Sequence, residues 1–261
     1  MTLAQLSYRP FSWLSHQLSA RNTAGYGIHS PMLFYLSRYV LPDTCTYYAF
    51  AGVESRRAEM LASNKRVFVD DYGTGQSGER SVSDIARTSL KPRREAQLLF
   101  RLAVMFHARE IVELGTSLGI TTALLASTDR RARVTTFEGS AALLEIARAN
   151  WRKLQLDNIV AVQGNIDDTL PAFRPEKCVE MAFIDANHKG SAMLRYFDMI
   201  AELMSENGIV VIDDIYASRE MHEAWETVCG RPRVKAAFDL YSMGILFFEP
   251  YLEKRLYKIR F

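Results

Sequence analysis

From residue 109 onward, short apolar runs alternate with longer segments of helical spacing, and this rhythm limits the chain to few folds. "EIVEL" (110–114), "RVTTFE" (133–138), "NIVAVQ" (158–163), "VEMAFID" (179–185) and "GIVVID" (208–213) have the length and β-branched content of buried strands. Between them, "GITTALLAST", "SAALLEIARANWRKL", a short helix from about Asp167, "SAMLRYFDMIAELM" and "SREMHEAWETVC" repeat apolar residues every three or four positions. Strands and helices in this order form a mostly parallel sheet covered on both faces. The tail "VKAAFDLYSMGILFFEP" breaks the rhythm with two β-like runs joined at Ser242–Gly244, which predicts an antiparallel hairpin at one edge.

Residues 1–90 read differently, with helical patches at about 4–20, 31–41 and 52–63 and a Gly/Ser-rich loop at 69–81. In "YGIHSPMLFYLSRYVL", Ser30 is placed to cap a helix that Pro31 begins. The expected organisation is a helical N-terminal cap or lid over 1–90 and an α/β domain over 91–261. Long loops beside a catalytic mouth are often lids, so Tyr26, His29 and the 69–81 loop are candidates for an acceptor pocket. An ordinary capped helix followed by a surface loop explains them equally well.

The chain has 32 basic and 30 acidic residues, a net charge of +2, and so no global bias toward a polyanion. "RRAR" (130–133), "KPRR" (91–94) and "EKRLYKIR" (253–260) are read as solvated surface rather than a nucleic-acid face. Three scattered cysteines without metal-ligand spacing fit buried thiols in a reducing compartment. With no secretory h-region and no run of about 20 apolar residues, the expectation is a cytoplasmic protein without a membrane partner.

In open α/β sheets ligands bind beyond the C-terminal ends of the strands. After the first strand comes "ELGTSLG", with Glu113, Gly115, Thr116, Ser117 and Gly119 as candidate cofactor contacts. Its glycines permit close backbone approach, and the helix that follows offers unpaired N–H groups. Glu138, at the end of the second strand, can accept both hydroxyls of a ribose. The loop is GxxxG rather than GxGxxG, and Glu113 would repel a pyrophosphate, which favours S-adenosylmethionine over a dinucleotide. A nicotinamide-dependent oxidoreductase remains the alternative.

Asp185 ends the fourth strand, and Asp213–Asp214 end the fifth. If these strands are neighbours, their ends lie about 5 Å apart. Carboxylates that close need a proton or a cation, and an all-oxygen set suits Mg²⁺. Helix capping and a contact with the cofactor's amine are the plainer roles for the same acids. His188 follows Asp185 by one helical turn and can act as a base near neutral pH; Lys189 is the runner-up, and Asn187 can orient either.

Taken together, "AQLLFRLA", "IVELGTSLGITTALLA", "VTTFEGS", "NIVAVQGNIDDTLP", "MAFIDANHKG" and "GIVVIDDIYAS" resemble class I S-adenosylmethionine-dependent methyltransferases of the catechol and caffeoyl-CoA O-methyltransferase-like group. The resemblance spans about residues 88–249. It implies a Rossmann-like sheet of seven strands with the last inserted antiparallel. It also implies that Ser117 and Thr121 reach the methionine carboxylate, that Glu138 holds the ribose, and that Gly164, Asn165 and Asp167 border the adenine. The metal-dependent members place an acid at position 185 and an acid–amide pair at 213–214; this chain has Asp at 214 instead of the amide. His188 stands where the catechol-type enzymes carry a lysine. Residues 1 to about 85 lie outside the resemblance, look like the front half of a bacterial subgroup, and indicate no substrate. The expected activity is O-methylation of a small-molecule acceptor, with Mg²⁺ as a candidate cofactor and a homodimer as a candidate assembly. A non-catalytic S-adenosylmethionine-binding protein would carry the same loop.

Overall fold

The computed structural model describes residues 3–70 and 77–261. The chain divides into two compact units, one formed by Cys45–Lys177 and the other by Met1–Thr44 with Cys178–Phe261. Residues 1–90 are therefore split between the units rather than gathered into one cap. They also carry strand: β1 (Arg66–Val69) pairs antiparallel with β2 (Gly78–Ser81). Residues 71–76, the middle of the Gly/Ser-rich loop, lie outside the described residues.

In the Cys45–Lys177 unit, β3 (Glu110–Leu114), β4 (Arg133–Glu138) and β5 (Ile159–Gln163) run parallel, β4 between the other two. Helices Ile120–Ala126 and Ala141–Lys153 connect them, as the apolar spacing predicts. The core joins Leu118, Leu124, Leu144 and Trp151 to Phe50 and Phe100, whose rings meet edge to face at 5.0 Å. Full burial of such a side chain is worth about 1.5–3 kcal/mol, so helix Tyr48–Ala62, which carries Phe50, is held by packing. Ser81 starts helix Val82–Ser89 by accepting the Asp84 N–H at 3.1 Å.

In the other unit, β6 (Val179–Ile184) and β7 (Met204–Asp213) are parallel. β9 (Met243–Phe247) lies antiparallel between β7 and β8 (Ala236–Asp239). This is the expected hairpin and the expected antiparallel insertion. An eighth strand, β10 (Arg255–Lys258), then adds in parallel to β8, where seven had been expected and where "EKRLYKIR" had been read as plain surface. Tyr257 explains the difference, because it buries its ring against Phe238 at 5.8 Å while Arg255 and Leu256 stay exposed. Helix Pro31–Tyr35 begins as read, with the Ser30 hydroxyl accepting from Leu33 N and Pro31 in the first turn. Tyr26 and His29 are exposed. Cys45 and Cys178 are exposed, and Cys229 is partly buried, so the expectation of buried thiols fails. Among the described residues no helix is long and apolar enough to cross a membrane.

Candidate functional site

The loop after β3 is pinned before any ligand arrives. Gly115 and Thr116 donate their N–H groups to the Phe137 carbonyl at 3.1 and 3.2 Å, which ties the turn to β4. Gly115, Ser117 and Gly119 all take positive φ. At Gly119 the fit is tight as well: a Cβ there would lie 2.6 Å from the Trp151 indole nitrogen and 2.7 Å from Ala147 Cβ. Trp151 instead donates to the Gly119 carbonyl at 2.9 Å, and Asn150 to Leu118 at 3.0 Å.

Glu138 organises the mouth of this loop. One carboxylate oxygen accepts the Ser117 N–H at 2.7 Å and the other the Ser140 N–H at 2.9 Å. Gly164 donates to the Glu138 carbonyl at 2.9 Å, so Ser117, Glu138 and the 164–167 turn converge. A carboxylate pinned in this way is suited to accept charge-assisted hydrogen bonds from hydroxyls. Thr121 sits half-buried in the first turn of the following helix. Asn165 uses its side chain to accept the Asp167 N–H at 3.1 Å, a capping role that shapes the turn.

Glu113 is a correction. Its carboxyl is wholly buried behind the loop, not at its surface, and takes hydroxyl donors from Thr122 and, at 2.6 Å, from Thr136. Thr136 also bonds the Thr116 hydroxyl at 2.6 Å. Burial raises the Glu113 pKa, the two threonine hydrogen bonds lower it and the Glu138 charge raises it, leaving it at about 7. Glu113 thus braces the turn from inside and offers no surface to a ligand.

In the second unit, parallel β6 and β7 bring their ends together. Asp185, His188 and Asp213 each offer a ligand atom, all within 4.8 Å of one another. Asp213 is almost entirely buried at the end of β7. Asp214, with φ 51°, lies outside that group of three, with its carboxylate 3.9 Å from His188 Nδ1 and 3.4 Å from the Arg9 guanidinium. The expected set of Asp185, Asp213 and Asp214 is therefore rearranged, with His188 taking the third place. An imidazole in the set removes the preference for Mg²⁺ that an all-oxygen set gave and suits Mn²⁺, Fe²⁺ or Zn²⁺ as well. The other His188 nitrogen, Nε2, lies 3.9 Å from Asp185. Lys189 is exposed and heads the helix Gly190–Leu203.

Sequence reasoning missed the residues that wall this cluster. The N-terminal helix Leu3–Ser19 presents Arg9, Ser12 and His16 along one edge. Tyr241 donates its hydroxyl to the Arg9 carbonyl at 2.7 Å and lies 3.1 Å from the Ser12 hydroxyl. Behind them, the His16 ring meets the buried Asp239 carboxylate at 3.0 Å, and that carboxylate also accepts the Tyr216 hydroxyl at 2.9 Å and the Tyr241 N–H at 3.0 Å. Burial raises the Asp239 pKa; the His16 hydrogen bond and charge, with the two tyrosine donors, outweigh it and hold the group below its ordinary value. The available signal was only the 9–12–16 spacing, which puts Arg9, Ser12 and His16 on one side of a helix that carries several other polar residues.

Residues 112–215 match the family described as "Methyltransferase domain". No curated protein sequence matches the chain. Solved structures do: an O-methyltransferase from Bacillus cereus in complex with S-adenosylhomocysteine is 19% identical, covering 82% of this chain and 95% of its own, with a TM-score of 0.60. The O-methyltransferase TomG of Streptomyces achromogenes, involved in tomaymycin synthesis and bound to S-adenosylmethionine, is 18% identical, covering 83% and 94%, with a TM-score of 0.58. A Podospora anserina methyltransferase bound to S-adenosylhomocysteine is 15% identical, covering 85% and 97%, with a TM-score of 0.61.

Proposed function

We propose that this chain, whose residues 112–215 match a methyltransferase domain family, transfers the methyl group of S-adenosylmethionine to a hydroxyl of a small molecule. The observation that carries the proposal is Glu138, fixed by two backbone N–H groups at the mouth of a GxxxG turn within the matched segment. Bound S-adenosylmethionine supplies an electrophilic sulfonium methyl. Glu138 accepts the two ribose hydroxyls, Ser117 and Thr121 meet the methionine carboxylate, and Gly164 with Asp167 borders the adenine. The GxxxG spacing, in place of GxGxxG, disfavours a dinucleotide pyrophosphate.

His188 takes the proton from the acceptor hydroxyl, leaving the oxygen's electron pair to attack the methyl carbon as the sulfur–methyl bond breaks, its pair returning to sulfur and S-adenosylhomocysteine departing. The carboxylates of Asp185 and Asp214, each 3.9 Å from a ring nitrogen, stabilise the imidazolium so formed. A second reading rests on the close grouping of Asp185, His188 and Asp213. In it these three hold a divalent cation, which would lower the pKa of the acceptor hydroxyl, and His188 is a ligand rather than the base.

Calorimetry with S-adenosylmethionine tests the cofactor assignment. Glu138→Ala should lose roughly ten- to a hundredfold in affinity for each charge-assisted hydrogen bond removed; unchanged affinity in a folded variant refutes the ribose role. Turnover against catechols, phenols, sugars and carboxylic acids, with and without chelator, then separates the two roles of His188. As a base, its loss in His188→Ala costs roughly 10²–10⁴-fold, recovered in part as pH rises, and chelator has no effect. As a ligand, chelator and Asp213→Ala both abolish turnover. Binding without turnover on any acceptor would leave a non-catalytic cofactor-binding protein.

A further inference from the structure

The N-terminal helix turns its most apolar stripe away from the protein. Ser12 and His16 face the strand ends, while Phe11, Leu14 and Leu18 recur at three- and four-residue spacing on the opposite side. They are 75%, 51% and 74% exposed, and Trp13 beside them is 50% exposed. The same segment exposes Tyr26 and the tilted pair Tyr35–Tyr39, with the Arg38 guanidinium over the Tyr39 ring.

We propose that this face docks onto an anionic lipid surface, with the helix lying in the headgroup plane. The charge pattern selects that occupant. Residues 1–42 contain no Asp or Glu and, besides Arg9, which pairs with Asp214, the arginines Arg21 and Arg38; 252–261 adds Lys254, Arg255, Lys258 and Arg260 against one acid, Glu253. The two stretches are joined: the Arg260 guanidinium donates to the Gln17 carbonyl at 2.8 and 3.1 Å, Arg260 N to the Thr23 hydroxyl at 3.0 Å, and Asn22 N to the Lys258 carbonyl at 3.2 Å. An apolar stripe with Trp, Phe and Leu, flanked by cations, is the chemistry of interfacial helices. A second copy of the chain fits less well, because a two-fold interface would set this basic patch against itself. The expectation of no membrane partner rested on the lack of a spanning run, which an interfacial helix does not need.

The proposal does not depend on the methyltransferase activity, and vesicle binding by the full chain tests it. Phosphatidylcholine vesicles with and without phosphatidylglycerol are titrated while tryptophan emission and cosedimentation are read. Trp151 and Trp225 are buried, so a blue shift reports Trp13. Binding should require phosphatidylglycerol and weaken in high salt. Phe11→Ser, Leu14→Ser and Leu18→Ser should each lower it about tenfold, and Arg260→Gln about fivefold. All four side chains are exposed, and circular dichroism confirms that the variants fold. Failure to bind either vesicle, or binding that the serine variants do not change, overturns the proposal. So does a dimer in sedimentation velocity that Leu18→Ser dissociates, which would make the face an interface between copies.

Discussion

Replacing Glu113 with Gln should stabilise the protein at alkaline pH and do little at acid pH. The Glu113 carboxyl is fully buried, and its pKa stands at about 7 against an ordinary 4.5. Between those values the folded state keeps a proton that the unfolded chain has released. Stability therefore falls as pH rises through this window. Each pKa unit is worth about 1.36 kcal/mol, so the rise from 4.5 to about 7 costs about 3 kcal/mol once pH exceeds the folded value. Gln preserves the local bonding, because both threonine hydroxyls donate to a single oxygen, Oε2. The amide nitrogen replaces Oε1, which has no hydrogen-bond partner; the protonated acid has an equally unpartnered O–H there. Urea unfolding of both proteins from pH 4.5 to 8.5 checks this, since the difference between them cancels every other titrating group. The variant's advantage should be small at pH 4.5 and about 3 kcal/mol above pH 7.5. A difference that does not change with pH would refute the buried, proton-holding carboxyl. Affinity for S-adenosylmethionine should be unaltered, because the side chain faces the threonines.

His16→Ala should cost about 3–5 kcal/mol by leaving a buried carboxylate without its ring partner, measured by urea denaturation. Asp239 lies below its ordinary 3.8 when folded, so its stabilisation is present above that value and is lost as pH falls through the lower folded one; the variant should lose this acid resistance. Gly119→Ala should destabilise by about 2–4 kcal/mol, since the new methyl must adopt positive φ and push on Trp151. Thermal unfolding would measure that loss.

What the sequence made legible was whatever a local period or a strand end encodes. Strands at 110–114, 133–138 and 208–213 could be read because β-branched runs between turn residues leave few other solutions, and Glu138 could be read because it closes one of them. Glu113 was misplaced because the same strand end has two faces, and spacing alone does not say which one turns inward. Asp214 was grouped with Asp213 because the left-handed backbone of the second residue has no signature in an Asp-Asp pair. The contacts of Arg9, His16 and Tyr241 were out of reach for a different reason: their partners lie more than 200 positions away along the chain, a pairing no periodicity records. β10 hid behind charge, with one buried tyrosine to betray it.

The fastening of the N-terminal helix also sets a clock. His16 waits for Asp239, Arg9 for Tyr241 and Gln17 for Arg260, sequence separations of 223, 232 and 243 residues. At roughly 5–20 residues per second of synthesis, the first helix emerges some ten to fifty seconds before its anchors exist. Local packing cannot shorten that wait, because the side of the helix that docks is polar and needs those particular partners. The opening turns of the chain are thus among the last to find their place. Throughout that interval Phe11, Leu14 and Leu18 are open to whatever apolar surface they meet first.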